Sequence, residues 1–207
     1  MMVLFSDRDI IVCIKPYGVL SQLSSDKNNM VDILCKEFGE VYPVHRLDRT
    51  TGGMMVYARN SKAAAELSKQ INDNTFQKNY IARVEGIISP ENGDMEDLLY
   101  FDRKANKSFV VKKERNGVKK AKLSYETIET CDGLSTVKIK LHTGRTHQIR
   151  VQFASRGYPL LGDRRYGSKA NCENINLWSQ SIAFFHPITK EPLCFSTEFE
   201  FNKKTAP

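Results

Sequence analysis

Hydrophobic positions along the chain follow two periods, and the changes between them outline the elements. The β-branched run Ile10-Ile11-Val12-Cys13-Ile14 stops at Lys15-Pro16, which predicts a buried strand and a turn at Pro16-Tyr17-Gly18. Val31, Leu34, Cys35 and Phe38 recur at helical spacing, and Gly39 supplies a stop. Residues 41–47 read as a strand that runs into a polar, glycine-bearing turn at 48–53, after which Met54-Met55-Val56-Tyr57-Ala58 resumes as a strand. Ser61 is placed to cap a helix over 62–71 with Ala64, Leu67, Ser68 and Ile71 on one face. Residues 76–84 alternate, so that Phe76, Lys78, Tyr80, Ala82 and Val84 share one face of a strand. An Asn116-Gly117 pair suits a primed turn and predicts a β-hairpin over about 98–124. Residues 136–142 alternate with Val137, Ile139 and Leu141 inward, and 146–156 read as a helix ended by Gly157. Late strands follow around 182–185 and 193–201. Many strands with two or three helices between them make an α+β fold, and neither linker nor repeat divides residues 1–207, so a single domain is expected.

Composition narrows the class. Of 207 residues, 41% are apolar and 27% charged, as in soluble globular chains. The unbroken apolar runs reach five residues, far short of the ~20 that a membrane helix needs. Asp7, Arg8 and Asp9 stand where a secretory signal would be apolar, and the five cysteines contain no C-x-x-C pair. Reduced thiols and a cytoplasmic location are the expectation.

Charge changes the picture further, because the net +7 is local. Residues 103–122 hold nine Lys/Arg and one acid, a net of +8, and the rest of the chain nets −1. Such a block is a surface for a polyanion such as nucleic acid or, equally, a solvated loop rich in lysine. Lys112, Lys113, Lys119 and Lys120 are its candidate RNA-binding residues.

Two polar clusters carry candidate chemistry. In His45-Arg46-Leu47-Asp48-Arg49-Thr50-Thr51-Gly52-Gly53, Asp48 leaves an apolar segment at a turn. A carboxylate there suits a nucleophile or general base, and equally an Asx-turn residue. In the second, His142-Thr143-Gly144-Arg145-Thr146-His147-Gln148-Ile149-Arg150, a strand ends and a helix begins. Arg145 beside that helix start makes a phosphate site, and Arg150 is a cation able to hold Asp48 ionised. Tyr80 serves either as core packing or as a platform for an extruded base. Metal ligation by His45, Asp48, His142 and His147 lacks any ligand spacing.

Those residues resemble a known family. HRLDRTTGG at 45–53 is similar to the catalytic motif of RluA-family pseudouridine synthases, usually written HRLDxxTSG. IIVCIKPYGVLSQ resembles that family's opening strand and Lys-Pro-x-Gly turn. FQKNYIARVEG resembles its Lys-x-Tyr strand, and LHTGRTHQIRVQFASRGYPLLGDRRYG its third block. LWSQSIAFFHPITKEPL resembles its closing strand. The blocks keep family order over residues 10–195.

The resemblance implies a mixed, mostly antiparallel sheet flanked by helices and loops, with the catalytic cleft across it. It also implies an isomerase that turns uridine into pseudouridine in ribosomal or transfer RNA without cofactor or metal. By motif, Asp48 takes the nucleophile's role, Tyr80 that of the ring against the base, and Arg150 that of the cation paired with the aspartate. Arg46 matches an arginine that fills the stack left by a flipped base. Gly52 stands where Ser is usual, and Trp178-Ser179 where His-Ala is common. No S4-type RNA-binding domain precedes the motifs, so RNA grip falls to the basic hairpin. A monomer without obligate protein partner and without membrane is expected. A non-catalytic RNA-binding module and a metal-dependent RNA hydrolase are the competing readings.

Overall fold

The computed structural model describes residues 2–201. Its elements in chain order are β1 (Met2–Ser6), β2 (Ile10–Lys15), α1 (Met30–Phe38), β3 (Tyr42–Pro43), β4 (Gly52–Ala58), α2 (Ser61–Asn72), β5 (Gln77–Glu85), β6 (Asn92–Asp102), β7 (Lys107–Val111), β8 (Val118–Cys131), β9 (Leu134–Leu141), α3 (Gln148–Ala154), β10 (Leu177–Phe185) and β11 (Pro192–Ser196). A 3-10 turn, Arg164–Tyr166, follows α3. The α+β class and the mixed, mostly antiparallel strand pairing match the expectation. Among the described residues no helix is long and apolar enough to cross a membrane.

The chain forms two compact units. One holds the chain up to Lys78 and the return segment Trp178–Phe199; the other holds Asn79–Leu177 and takes up the chain again from Glu200.

In the first unit the strands run β1-β2-β4-β10, with β3 also on β4 and β11 on β10. β4 pairs antiparallel with β2 and parallel with β10. All seven β4 residues are buried, as its unbroken apolar sequence requires of a strand covered on both faces. Ile10, Val12, Met54, Val56, Ala58, Ala63, Leu67, Phe76, Ile182 and Phe184 make the core. Asn29 caps α1 by accepting from Asp32 N–H at 2.8 Å, and Gly39 ends it at φ +75°, its N–H donating to the Cys35 carbonyl. The cap of α2 is Asn60 rather than Ser61: Asn60 is extended and its Oδ1 accepts from Ala63 N–H at 2.8 Å. The strand expected over 41–47 shrinks to two residues. Pro43 has no N–H to offer, and Val56 N–H donates to the His45 ring instead of a carbonyl, at 3.2 Å.

In the second unit five antiparallel strands run β5-β9-β8-β6-β7. On β5, Lys78, Tyr80, Ala82 and Val84 are buried, the shared face that alternation predicted. Leu99, Ala121, Val151 and Tyr166 pack together where α3 covers β6 and β8.

The basic segment departs from the expected hairpin. β6 pairs with β7 on one side and with β8 on the other, so the hairpin turn lies between Asp102 and Lys107. Residues 112–117 cross from one edge of β6 to the other. At the end of that crossing Val118 N–H donates to the Arg115 carbonyl at 3.0 Å, and Gly117 has φ +83° while Asn116 does not turn positive. That is a type II turn, whose twist splays its flanking strands, not the primed turn that joins neighbours.

Candidate active site

Asp48 opens a β-turn in the first unit, closed by Thr51 N–H donating to the Asp48 carbonyl at 3.0 Å. The residue before it is pinned at both backbone groups. The Ser21 hydroxyl donates to the Leu47 carbonyl at 2.9 Å and accepts from Leu47 N–H at 3.3 Å, and the Tyr57 phenol holds the Ser21 carbonyl at 2.8 Å. The residue after it is laced to the Pro16-Tyr17-Gly18 turn. Gly18 N–H donates to the Arg49 carbonyl at 2.8 Å, Arg49 Nε returns a bond to the Gly18 carbonyl at 2.9 Å, and Asp26 pairs with Arg49 Nη1 at 3.0 Å. The half-buried Asp48 therefore sits on backbone fixed from both directions.

Beside this turn lies a cation that the sequence did not single out. Lys15 is fully buried, and its ammonium donates to the Pro16 carbonyl at 2.8 Å and the Val19 carbonyl at 2.7 Å. Burial pushes its pKa down to about 8; the negative charge of Asp48 works against that fall and Arg49 adds to it. Asp48 and Lys15 thus feel one another's charge. The only sequence signal was a lysine closing an apolar run.

The two departures from the family pattern meet in space. Gly52 of β4 faces Trp178 of β10 across the parallel pair. A Cβ on residue 52 would stand 2.8 Å from Cε3 of the indole and 3.3 Å from the Lys15 carbonyl. Trp178 in turn stacks on Phe199 at 4.0 Å and lies 5.5 Å from the Tyr17 ring. A serine at 52 and this tryptophan cannot share the space, so glycine and tryptophan read as one change.

In the second unit, Arg150 is buried on α3 and makes a two-pronged ion pair with Asp163: Nε to Oδ2 at 2.6 Å and Nη2 to Oδ1 at 2.9 Å. Its guanidinium also lies 5.0 Å above the Tyr166 ring. Tyr166 is anchored by Ser108 N–H at 2.7 Å and by His147 Nδ1 at 3.0 Å, and burial raises its phenol pKa. Asp163 was missed because nothing in its sequence neighbourhood ties it to a residue thirteen positions earlier. Tyr80 is buried on β5, opposite Ile139 of β9.

The candidate RNA contacts are all exposed. Arg46 lies in the segment leading to the Asp48 turn, Lys112 and Lys113 in the crossing, and Lys119 and Lys120 at the start of β8. Lys120 faces Glu114 at 3.6 Å. Arg145 donates through Nε to the Lys120 carbonyl at 2.9 Å. The helix start expected beside it is reduced: α3 begins at Gln148, and the Arg145 N–H donates to Gln148 Oε1 at 3.0 Å.

The histidines hold structure. His45 Nε2 accepts from Val56 N–H, so its proton sits on Nδ1, a sealed atom without a partner among the described residues. Burial, with Lys78 nearby, pushes its pKa down to about 3. His142 bonds the Ser124 hydroxyl at 2.7 Å. His186 accepts from Ile188 and Thr189 N–H through Nδ1, which leaves the Nε2 proton for Asp7 at 2.9 Å. Asp7, Asp9 and His186 lie close enough to hold a cation, but that Nε2–H donor and the Arg8 and Asn60 bonds to Asp9 already satisfy the cluster.

Residues 9–155 match the model of the RNA pseudouridylate synthase family. The dual-specificity RNA pseudouridine synthase RluA of Yersinia pestis is 34% identical, over 97% of this chain and 100% of its own. RluA of Escherichia coli K12 is 32% identical, over 97% and 94%. The fold is shared with human RNA pseudouridylate synthase domain containing 1, at TM-score 0.80 and 23% identity over 96% of this chain and 83% of that one.

Proposed function

The chain belongs to the RluA family of RNA pseudouridine synthases, and from that premise we propose that it isomerises specific uridines of ribosomal or transfer RNA with Asp48 as nucleophile. The target nucleotide leaves its stack, at a cost of a few kcal/mol. The Asp48 carboxylate attacks C1′ and uracil departs through N1. The freed base turns so that C5 faces the sugar. C5 then bonds to C1′ and releases the carboxylate; the C5 proton is lost and N1 gains one. The Tyr80 ring holds the base during its turn and removes the C5 proton, directly or through water. Arg150 supplies the positive charge of the site. Arg46 fills the gap in the stack, and Arg145, Lys112, Lys113, Lys119 and Lys120 grip phosphates. The protein acts as a cytoplasmic monomer, with RNA as its partner and without cofactor.

The observation that carries this reading is the Asp48 turn. Its backbone is tied at Leu47 and Arg49, and a buried ammonium lies near enough for its charge to act on the carboxylate. A nucleophile must be aimed, and backbone tied on both sides favours that. The hydrolase reading loses ground because His45, His142, His147 and His186 are each engaged in structural bonds.

Release of tritium from RNA labelled at uridine C5 tests the proposal, with chelator present. Wild type releases the label without cleaving the chain; Asp48→Asn binds RNA and releases none. Undiminished release by Asp48→Asn overturns the role of Asp48, and strand cleavage favours a hydrolase.

A further inference from the structure

We propose that the second unit carries a seat for one nucleotide of the substrate RNA, in a cavity at the basic end of β6; this rests on the RNA-modifying reading and shares only Lys119 and Arg145 with it. The cavity measures about 680 Å³. That lies within the ~300–1,000 Å³ range of small-ligand sites. Tyr100 and Phe101 of β6 give it aromatic surface, and Arg103, Lys104, Lys119 and Arg145 give it positive charge.

The charge around it is not merely a solvated lysine-rich edge. Several cations of the 103–122 block are already engaged within the protein. Lys122 pairs with Glu96 at 2.5 Å and Lys120 with Glu114 at 3.6 Å. Arg115 lies 4.7 Å over the Tyr100 ring and Lys107 5.1 Å over Tyr166. Arg103, Lys104 and Lys119, by contrast, have no acidic partner among the described residues. Arg145 uses Nε on the Lys120 carbonyl, which leaves its two terminal nitrogens for another acceptor. Three of the block's open cations line the cavity, while Lys112 and Lys113 stand outside its lining.

The one acid in the lining points elsewhere. The Asp102 carboxylate accepts from Lys104 N–H at 2.8 Å and Ala105 N–H at 3.1 Å, which fixes the β6–β7 turn and softens its charge. Phe101 is held edge-on to His147 at 6.0 Å. Open cations beside oriented rings suit a group that is anionic at one end and planar at the other. A nucleotide within an RNA strand has that chemistry, with phosphate to the cations and base to the rings.

The test uses the full chain and a fluorescent ten-nucleotide oligouridine. Arg103→Gln/Lys104→Gln is compared with Lys138→Gln/Lys140→Gln, which removes the same charge from exposed positions of β9. Loss of two phosphate contacts lowers the slope of log K against log salt by about 1.4, at ~0.7 per phosphate on a single strand. The cavity variant shows that drop and the β9 variant does not. Equal slopes and affinities in the two variants overturn the seat. With 4-thiouridine in the probe, irradiation joins RNA to the peptide bearing Tyr100 and Phe101; cross-links confined to other segments overturn it. Uridine monophosphate competing as well as the oligonucleotide would make the cavity a free-nucleotide site and also overturn it. These binding readouts stand apart from tritium release. Asp48→Asn ends release whether or not the seat exists, so failure of either proposal is separately visible.

Discussion

Lys15 and Arg150 on one side, and Arg103, Lys104 and Lys119 on the other, are cations of one protein treated in opposite ways. The first two are buried and fully engaged: Lys15 by two carbonyls, Arg150 by both oxygens of Asp163. The other three stand in solvent with no acid opposite among the described residues. A buried charge left unbonded costs several kcal/mol, so every buried cation must come with its acceptors. A solvated charge costs almost nothing to leave open, and its field stays available to a polyanion. The buried cations are therefore also stability residues, whereas the solvated ones are nearly free to change without harm to the fold.

The largest expected effect that would break this contrast comes from Arg150→Met. It strands the Asp163 carboxylate, 1% exposed, and should cost ~3–5 kcal/mol in urea unfolding. Adding Asp163→Leu should recover much of that stability while tritium release stays low. A loss below 1 kcal/mol in the single variant would mean that the pair is not a structural element.

Lys15 gives a pH-dependent version. Its ammonium has a pKa of about 8 in the folded protein against the ordinary 10.5. Between those values the unfolded chain binds more protons, so folding stability rises with pH. The burial penalty is complete below pH 8 and is relieved as pH approaches 10.5. Wild-type stability relative to Lys15→Met should therefore climb by roughly 3 kcal/mol across that window. A flat difference would show that the ammonium is not penalised by burial.

Gly52→Ser sharpens the held side of the comparison, since the new Cβ presses on Trp178 and on the carbonyl of Lys15. Overpacking of this kind costs ~1–3 kcal/mol. Combined with Trp178→His it should cost less than the sum of the single changes, because the two positions share one space. At the small end, Lys120→Gln should leave the unfolding midpoint in place. Its partner Glu114 is 3.6 Å away and both side chains are largely solvated.

Much of this was readable from local pattern. Apolar patterning placed β2, α1, β4, α2, β5 and β9 within a residue or two, because α1, α2, β5 and β9 bury a regular face against a core and β2 and β4 are buried almost throughout. The pattern could not say which strands would be neighbours. Asn116-Gly117 does mark a turn, yet whether its flanking strands pair depends on where β6 lies, which is a tertiary fact. The Asp48 turn was legible because its residues are contiguous. Asp163 and the burial of Lys15 were not, since one is a partner distant in sequence and the other a lysine that enters the interior only because two carbonyls wait there.

The position of β7 has a consequence for handling the protein. It is the last strand of its sheet; Tyr166 takes the backbone of Ser108 on its outer side, and Phe109 and Val110 beyond it present large apolar side chains to water. Such an edge can recruit a strand from another molecule. It is only five residues long, and Lys107 precedes Phe109 while Lys112-Lys113 follow β7. Charges in those places repel a second copy and act as gatekeepers against self-association. Stripping lysines from this segment should therefore be accompanied by light scattering, because a sticky edge would imitate a loss of soluble binding capacity.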